Sequence, residues 1–121
     1  MARAPAPQPM RGEIWLVDLD PTVGAEMGKT RPAVVINVST VGLLPLRMVV
    51  PVTTWQPRYD QLAWFVRLPA DAANGLSQDS GADTFQVRCI SLDRFVRRLG
   101  LLTSVQVDEI ARASADNVGA P

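Results

Sequence analysis

Apolar residues fall along this chain in short runs separated by glycine, proline and aspartate, which is how the strands of a small β-protein read. Residues 13–18 (EIWLVD) form one compact apolar run, and Asp20, Pro21 and Gly24 behind it supply turn chemistry. The β-branched stretch 33–38 (AVVINV) predicts a buried strand, and 47–53 (RMVVPVT) another. Pro51 in that third strand implies an edge or a bulge, because proline has no N–H for the ladder. Residues 62–68 and 82–90 predict a fourth and a fifth strand. Trp15 and Trp64 are expected in the core, and Cys89 as a small buried hydrophobe.

The period changes near the C-terminus. Thr103 followed three residues later by Gln106 fits a capping box. Val107, Ile110, Ala111, Ser114 and Val118 then share one helical face, opposite Asp108, Glu109 and Arg112. Short strands followed by one amphipathic helix predict a mainly β fold: a small antiparallel barrel closed by a C-terminal α-helix. Residues 1–10 hold three prolines and no apolar run, so they read as a flexible tail and not a signal peptide. Residues 11–121 read as a single domain, with Met10 an alternative start. No apolar stretch approaches the ~20 residues needed to cross a bilayer.

Composition narrows the chemistry. The 121 residues contain no histidine, which removes Ser-His-Asp and Cys-His triads, paired-histidine RNA hydrolysis and histidine-built zinc sites. A single cysteine allows neither an intramolecular disulfide nor a thiolate metal cluster, and a reducing cytoplasm is the expected location. Twelve basic residues balance twelve acidic ones, so any nucleic acid must be held by a local patch and not by net charge. Eleven of the twelve bases are arginine, a bias that a high-GC genome explains more simply than selection for phosphate binding.

Special residues concentrate in 20–32 (DPTVGAEMGKTRP). Pro32 biases Arg31 toward an extended backbone, and Gly24 and Gly28 permit a tight loop. Gly28-Lys29-Thr30 looks like the end of a phosphate loop, but that motif needs glycine at position 23, which is valine, and a helix where a strand follows. On spacing alone the segment is a long structural turn.

Taken together, RGEIWLVD at 11–18, DPTVGAE at 20–26, GKTRPAVVI at 28–36, VVPVTT at 49–54, Asp79-Ser80 and QVR at 86–88 resemble the MazF/PemK family of toxin endoribonucleases. The resemblance runs in order over nearly the whole chain beyond the tail. It implies an SH3-like barrel with a C-terminal helix, and cleavage of single-stranded RNA without metal or cofactor. The products implied are a 2′,3′-cyclic phosphate and a 5′-OH. Arg31 matches the family's phosphate-stabilising arginine, Thr53 a hydroxyl donor, and Glu26 a loop glutamate that serves as base or 2′-OH contact. Thr30 stands where some relatives carry a histidine, which leaves the proton donor open. Lys29, Thr30, Trp55, Ser80, Gln86 and Arg88 are the implied RNA-binding residues, with Tyr59 beside Trp55 as a second base-stacking ring.

The run 93–98 (DRFVRR) reads as a solvated short helix face by default. Under the resemblance, Arg94, Arg97 and Arg98 become a patch for an acidic antitoxin. The family also implies a homodimer that uses the C-terminal helix. Two alternatives remain on the same fold: a toxin that binds DNA gyrase, and an inactive RNA-binding relative.

Overall fold

The computed structural model describes residues 7–121. Residues 1–6 of the expected tail lie outside the described part. The remainder of that tail is docked: Arg47 Nε donates to Pro9 O at 2.8 Å, and Met10 N donates to Glu13 Oε1 at 2.7 Å.

Seven strands and one helix follow in order: β1 Glu13–Asp18, β2 Thr30–Val35, β3 Leu46–Thr54, β4 Phe65–Leu68, β5 Ser80–Asp83, β6 Arg88–Ser91, β7 Phe95–Leu101 and α1 Ser104–Asp116. Every pairing is antiparallel, along the path β4-β5-β3-β2-β1-β7, with β6 paired to β3. Among the described residues this path does not close on itself through a β4–β7 ladder. The connection between β4 and β5 fills the gap instead, its Ala73 O accepting from Leu101 N of β7 at 2.9 Å. Gly75 makes that approach possible: its φ is +69°, and a Cβ there would collide with the Leu99 backbone. Asn74 shapes the same connection while almost fully buried, its Oδ1 accepting from Asp71 N (3.2 Å) and Leu76 N (2.9 Å) and its Nδ2 donating to Pro69 O at 2.8 Å.

Alternation along the strands sends side chains into two cores, one on each face. Ile14, Val34, Ile36, Val50, Val52, Val66 and Leu68 meet Val107 and Ile110 of α1. Val17, Leu19, Ala33, Val35, Val49, Ile90 and Phe95 form the other. Each such side chain removed from water contributes roughly 1.5–3 kcal/mol before chain entropy is charged. The capping box is present, with Gln106 N donating to Thr103 Oγ1 at 3.2 Å and Thr103 N to Gln106 Oε1 at 3.0 Å.

Several local expectations change. Residues 82–90 are not one strand: a 3-10 turn, Thr84–Gln86, separates β5 from β6, with Asp83 Oδ1 accepting from Phe85 N. The charge run ends in strand β7 and not in a helix face. Trp64 is 36% exposed, because it sits in the turn before β4, where its backbone carbonyl accepts from Thr84. Cys89 is exposed beside Met48 on the outer side of the β3–β6 pair, since Ile90 takes the inward position. Val118 is exposed because α1 ends two residues earlier, at Asp116.

Candidate functional site

The site arises where two neighbouring strands part. β2 and β3 pair at Val35↔Val49, Val34↔Val50 and Ala33↔Pro51, and no further. Neither Pro51 nor Pro32, the next residue along β2, has an N–H to extend the ladder. Beyond that point β2 continues along β1 (Leu16↔Pro32, Val17↔Arg31), whereas β3 continues along β5 (Val52↔Ala82, Thr53↔Gly81). Pro51 also marks a change of partner on the other side of β3, between Val49, the last residue paired with β6, and Val52, the first paired with β5. It therefore lies in a central strand at a partner switch.

A cleft of about 370 Å³ opens between the diverging ends. Arg31 and Pro32 line it from β2, and Val52, Thr53 and Thr54 from β3; Leu76, Ser77 and Gln78 come from the β4–β5 connection, and Arg97 from β7. Carrying the last β2–β3 register two residues onward sets Arg31 across the opening from Thr53. Arg31 Nε donates to Gly28 O at 2.8 Å, and Nη1 lies 3.7 Å from Met27 Sδ. Among the described residues Nη2 has no protein partner. The Thr54 hydroxyl is occupied by Gln78 Nε2 at 2.8 Å, but Thr53 makes no side-chain hydrogen bond among the described residues. Ser80 also lines the cleft, buried, its hydroxyl donating to Gln78 O at 2.8 Å. Among the described residues no carboxylate lines the cleft. Its chemistry is two guanidinium groups with hydroxyl and amide groups, a setting for a phosphate diester.

The segment before β2 is tied at its neck. Asp20 Oδ1 accepts from Lys29 N at 2.8 Å, and Leu19 N donates to Lys29 O at 3.0 Å. Gly28 leaves room for this closure, since a Cβ would meet the Asp20 Oδ1 and Thr22 Oγ1 atoms of the neck. Lys29 takes φ +66°, a left-handed conformation costly for a side chain with a Cβ. The Lys29 and Thr30 side chains are exposed beside the loop neck and are not among the groups lining the Arg31 cleft.

Glu26 is not brought into the Arg31 cleft. It lines a second cleft, of about 500 Å³, with Met27, Pro51, Phe85, Gln86 and Arg88, and its Oε1 accepts from Val23 N at 2.6 Å. Met27 joins the two clefts, lining the second while its thioether touches Arg31. Gln86 spends both ends of its amide on the loop: Oε1 accepts from Met27 N at 2.6 Å and Nε2 donates to Ala25 O at 3.2 Å. Arg88 Nη1 donates to Leu19 O at 3.2 Å.

Trp55 is half-buried against Gly81, with the Arg67 guanidinium 5.1 Å from its ring centre. Tyr59 is corrected as a base-stacking ring: it is buried, stacked on Phe65 at 3.9 Å and met edge-on by Trp55 at 5.5 Å. The arginines of 94–98 disperse instead of forming one patch. Arg94 Nη1 donates to Asp18 O and Asp20 O, Arg98 Nε pairs with Glu13 Oε2 at 2.7 Å, and Arg97 faces the cleft. Three residues of this region escaped sequence reasoning: Gln78, which lines the cleft, Asn74, which shapes the connection that carries Gln78, and Phe85, which is 66% exposed at the second cleft. Only the exposure of Phe85 runs against composition, and it becomes visible only once β5 is seen to stop at Asp83.

Two carboxylates near these elements are shifted. Burial pushes Asp83 up, and the Phe85 and Gln86 amides and the Gln86 side chain only partly oppose it. For Glu13, burial also pushes up, but the Met10 amide, the Trp15 indole, and the hydrogen bond and charge of Arg98 together carry its value below the ordinary 4.5.

Residues 10–116 match the family model described as PemK-like, MazF-like toxin of type II toxin–antitoxin system. The chain belongs to this toxin family. It is 33% identical over 109 residues to endoribonuclease MazF9 of Mycobacterium tuberculosis, an alignment covering 85% of this chain and 90% of that protein. The structure of toxin MazF-mt6 from Mycobacterium tuberculosis superposes with a TM-score of 0.71 at 26% identity, covering 90% of this chain and 98% of that one. The fold is also shared with an endoribonuclease from a mycobacterial species solved in complex with its cognate antitoxin. That superposition has a TM-score of 0.71 at 17% identity and covers 94% of this chain and 98% of that one. The mainly β body with its C-terminal helix is thus the architecture of MazF toxins.

Proposed function

We propose that this chain is the toxin of a type II pair and an endoribonuclease that cuts single-stranded RNA sequence-selectively, without a metal, at the Arg31–Thr53 cleft. The observation that carries the reading is the convergence of Arg31 and Thr53 on one carboxylate-free opening. The nucleophile belongs to the substrate: the ribose 2′-OH loses its proton and its oxygen bonds to phosphorus. The P–O5′ bond then breaks, leaving a 2′,3′-cyclic phosphate, and the departing oxygen takes up a proton to become a 5′-OH. Arg31 places fixed positive charge on the non-bridging oxygens as charge builds there, and Thr53 adds a neutral donor.

Glu26 is the carboxylate assigned to the 2′-OH; it lines the neighbouring cleft, which the Met27–Arg31 contact adjoins, so the RNA strand spans both clefts in this reading. Thr30 cannot act as a proton donor near neutral pH, so water protonates the leaving oxygen. Trp55 and the second cleft serve flanking bases. The protein partners are an acidic antitoxin and a second copy of the chain, and the site of action is the cytoplasm. No described helix is long and apolar enough to cross a membrane.

The test is to incubate the purified chain, Arg31→Ala and Thr53→Ala with a long mixed-sequence transcript in EDTA, and to map the ends. Cleavage by the parent alone, with 5′-OH ends that a polynucleotide kinase labels without prior phosphatase, supports the reading. Equal cleavage by all three proteins rejects the site, and no cleavage by the parent in EDTA, restored by a divalent cation, rejects the mechanism.

A further inference from the structure

Arg97 stands apart from the other arginines of its run. Arg94 is spent on the carbonyls of Asp18 and Asp20, and Arg98 on Glu13. Arg97 forms no ion pair among the described residues, is exposed, and lines the same cleft as Arg31 and Thr53. Register sets Arg97 of β7 opposite Leu16 and Leu16 opposite Pro32, which puts Arg97 on the Pro32 face of the sheet, one position along β2 from Arg31. Both residues line the one opening, from strands on either side of β1. No carboxylate is among the described lining residues, so neither guanidinium has a counter-charge in the cleft. A single phosphate diester carries one negative charge, so a second guanidinium has a natural partner in the next phosphate of the same strand.

We propose that Arg97 is a second phosphate-binding residue, holding an RNA phosphate that flanks the scissile one and so setting the strand's register over Arg31. The inference rests on the nuclease reading but concerns binding, so the two fail separately. A positional contact of this kind supplies affinity without base selectivity. Arginine suits the task because its charge is permanent and its donors form a planar fork.

The probe is a single-stranded DNA oligonucleotide of random sequence, which carries the phosphates but lacks the 2′-OH and stays uncut. Its affinity for the full-length chain is measured against salt concentration for the parent, Arg97→Ala, Arg97→Lys and Arg112→Ala. Arg112 lies on the exposed side of α1, so its variant removes the same charge away from the cleft. On the expected result, Arg97→Ala flattens the slope of log affinity against log salt by about 0.7, the value of one phosphate contact on a single strand. Binding weakens roughly three- to tenfold at low salt, Arg97→Lys keeps the slope, and Arg112→Ala matches the parent.

KM for RNA rises in Arg97→Ala by a similar factor, with kcat less affected. Equal slopes for the parent and Arg97→Ala overturn the proposal, as does an equal decline in Arg97→Ala and Arg112→Ala. Unchanged nucleic-acid binding with loss of affinity for an acidic peptide would overturn it too, giving Arg97 to the antitoxin. Absence of RNA cleavage by the parent speaks against the nuclease reading alone, since the oligonucleotide titration does not depend on turnover.

Discussion

Gln86 reaches across 59 positions of sequence to hold Met27, its Oε1 accepting from the Met27 amide at 2.6 Å while its Nε2 donates to Ala25 O. The loop so held presents Gly28 O to Arg31 Nε, so the carboxamide on the far wall helps set where the guanidinium points. Gln86 thus ties the 25–27 loop to the far wall through both ends of its amide. Gln86→Ala should slow RNA cleavage by roughly 10-fold or more while leaving the melting temperature nearly unchanged, since misplacement near the chemistry is expensive. Hydrogen exchange at the Met27 amide should accelerate in the same variant. Gln86→Glu, which keeps the acceptor and loses the donor, should retain more of that protection than alanine.

Arg31→Ala and Thr53→Val remove prepositioned donors from the cleft and bury nothing new. Each should lower kcat by about 10²–10³-fold, the usual scale for a lost oxyanion donor. Denaturant midpoints should stay close to the parent, because neither side chain sits in the core clusters. A large loss of stability in either variant would contradict the site geometry.

Asn74 holds the β4–β5 connection with three hydrogen bonds from a buried position. Asn74→Ala leaves two amides and a carbonyl without their partner, and should cost roughly 2–4 kcal/mol in urea unfolding. Because Ser77 and Gln78 follow in the same segment, cleavage should fall even at temperatures where the variant is folded.

The two shifted carboxylates act on stability in opposite senses. Glu13 has a lowered value in the folded chain, so its contribution is present above about 4.5 and is lost as pH falls through the folded value. Asp83 has a raised value, so its contribution is favourable below 3.8 and declines as pH climbs through the folded value. Glu13→Gln should therefore blunt the loss of stability on acidification. Asp83→Asn, which preserves the acceptor for Phe85 N, should stabilise the protein near neutrality and lose that advantage at pH 3. Urea midpoints across pH 3–8 measure both.

How far the chain could be read in advance depended on how local the signal was. β1 and β3 were legible because their apolar runs are uninterrupted, and the helix because its capping pair and its Val107–Ile110 face are both local. β7 was hidden by its own chemistry: adjacent Arg97 and Arg98 break the alternation, since one enters the cleft and the other meets Glu13. The break at Thr84–Gln86 was hidden for a different reason, because the turn contains neither glycine nor proline and is capped by Asp83. The meeting of Arg31 and Thr53 depends on a register between strands far apart in sequence, so no local pattern contained it. The family resemblance alone brought those two residues together.

The parting of β2 and β3 at Ala33 and Pro51 works like the pivot of a pair of tongs. One arm is braced by β1 and carries the guanidinium; the other is braced by β5 and carries the alcohol. The spacing of the tips is therefore set by two separate ladders, and not by hydrogen bonds between the arms themselves.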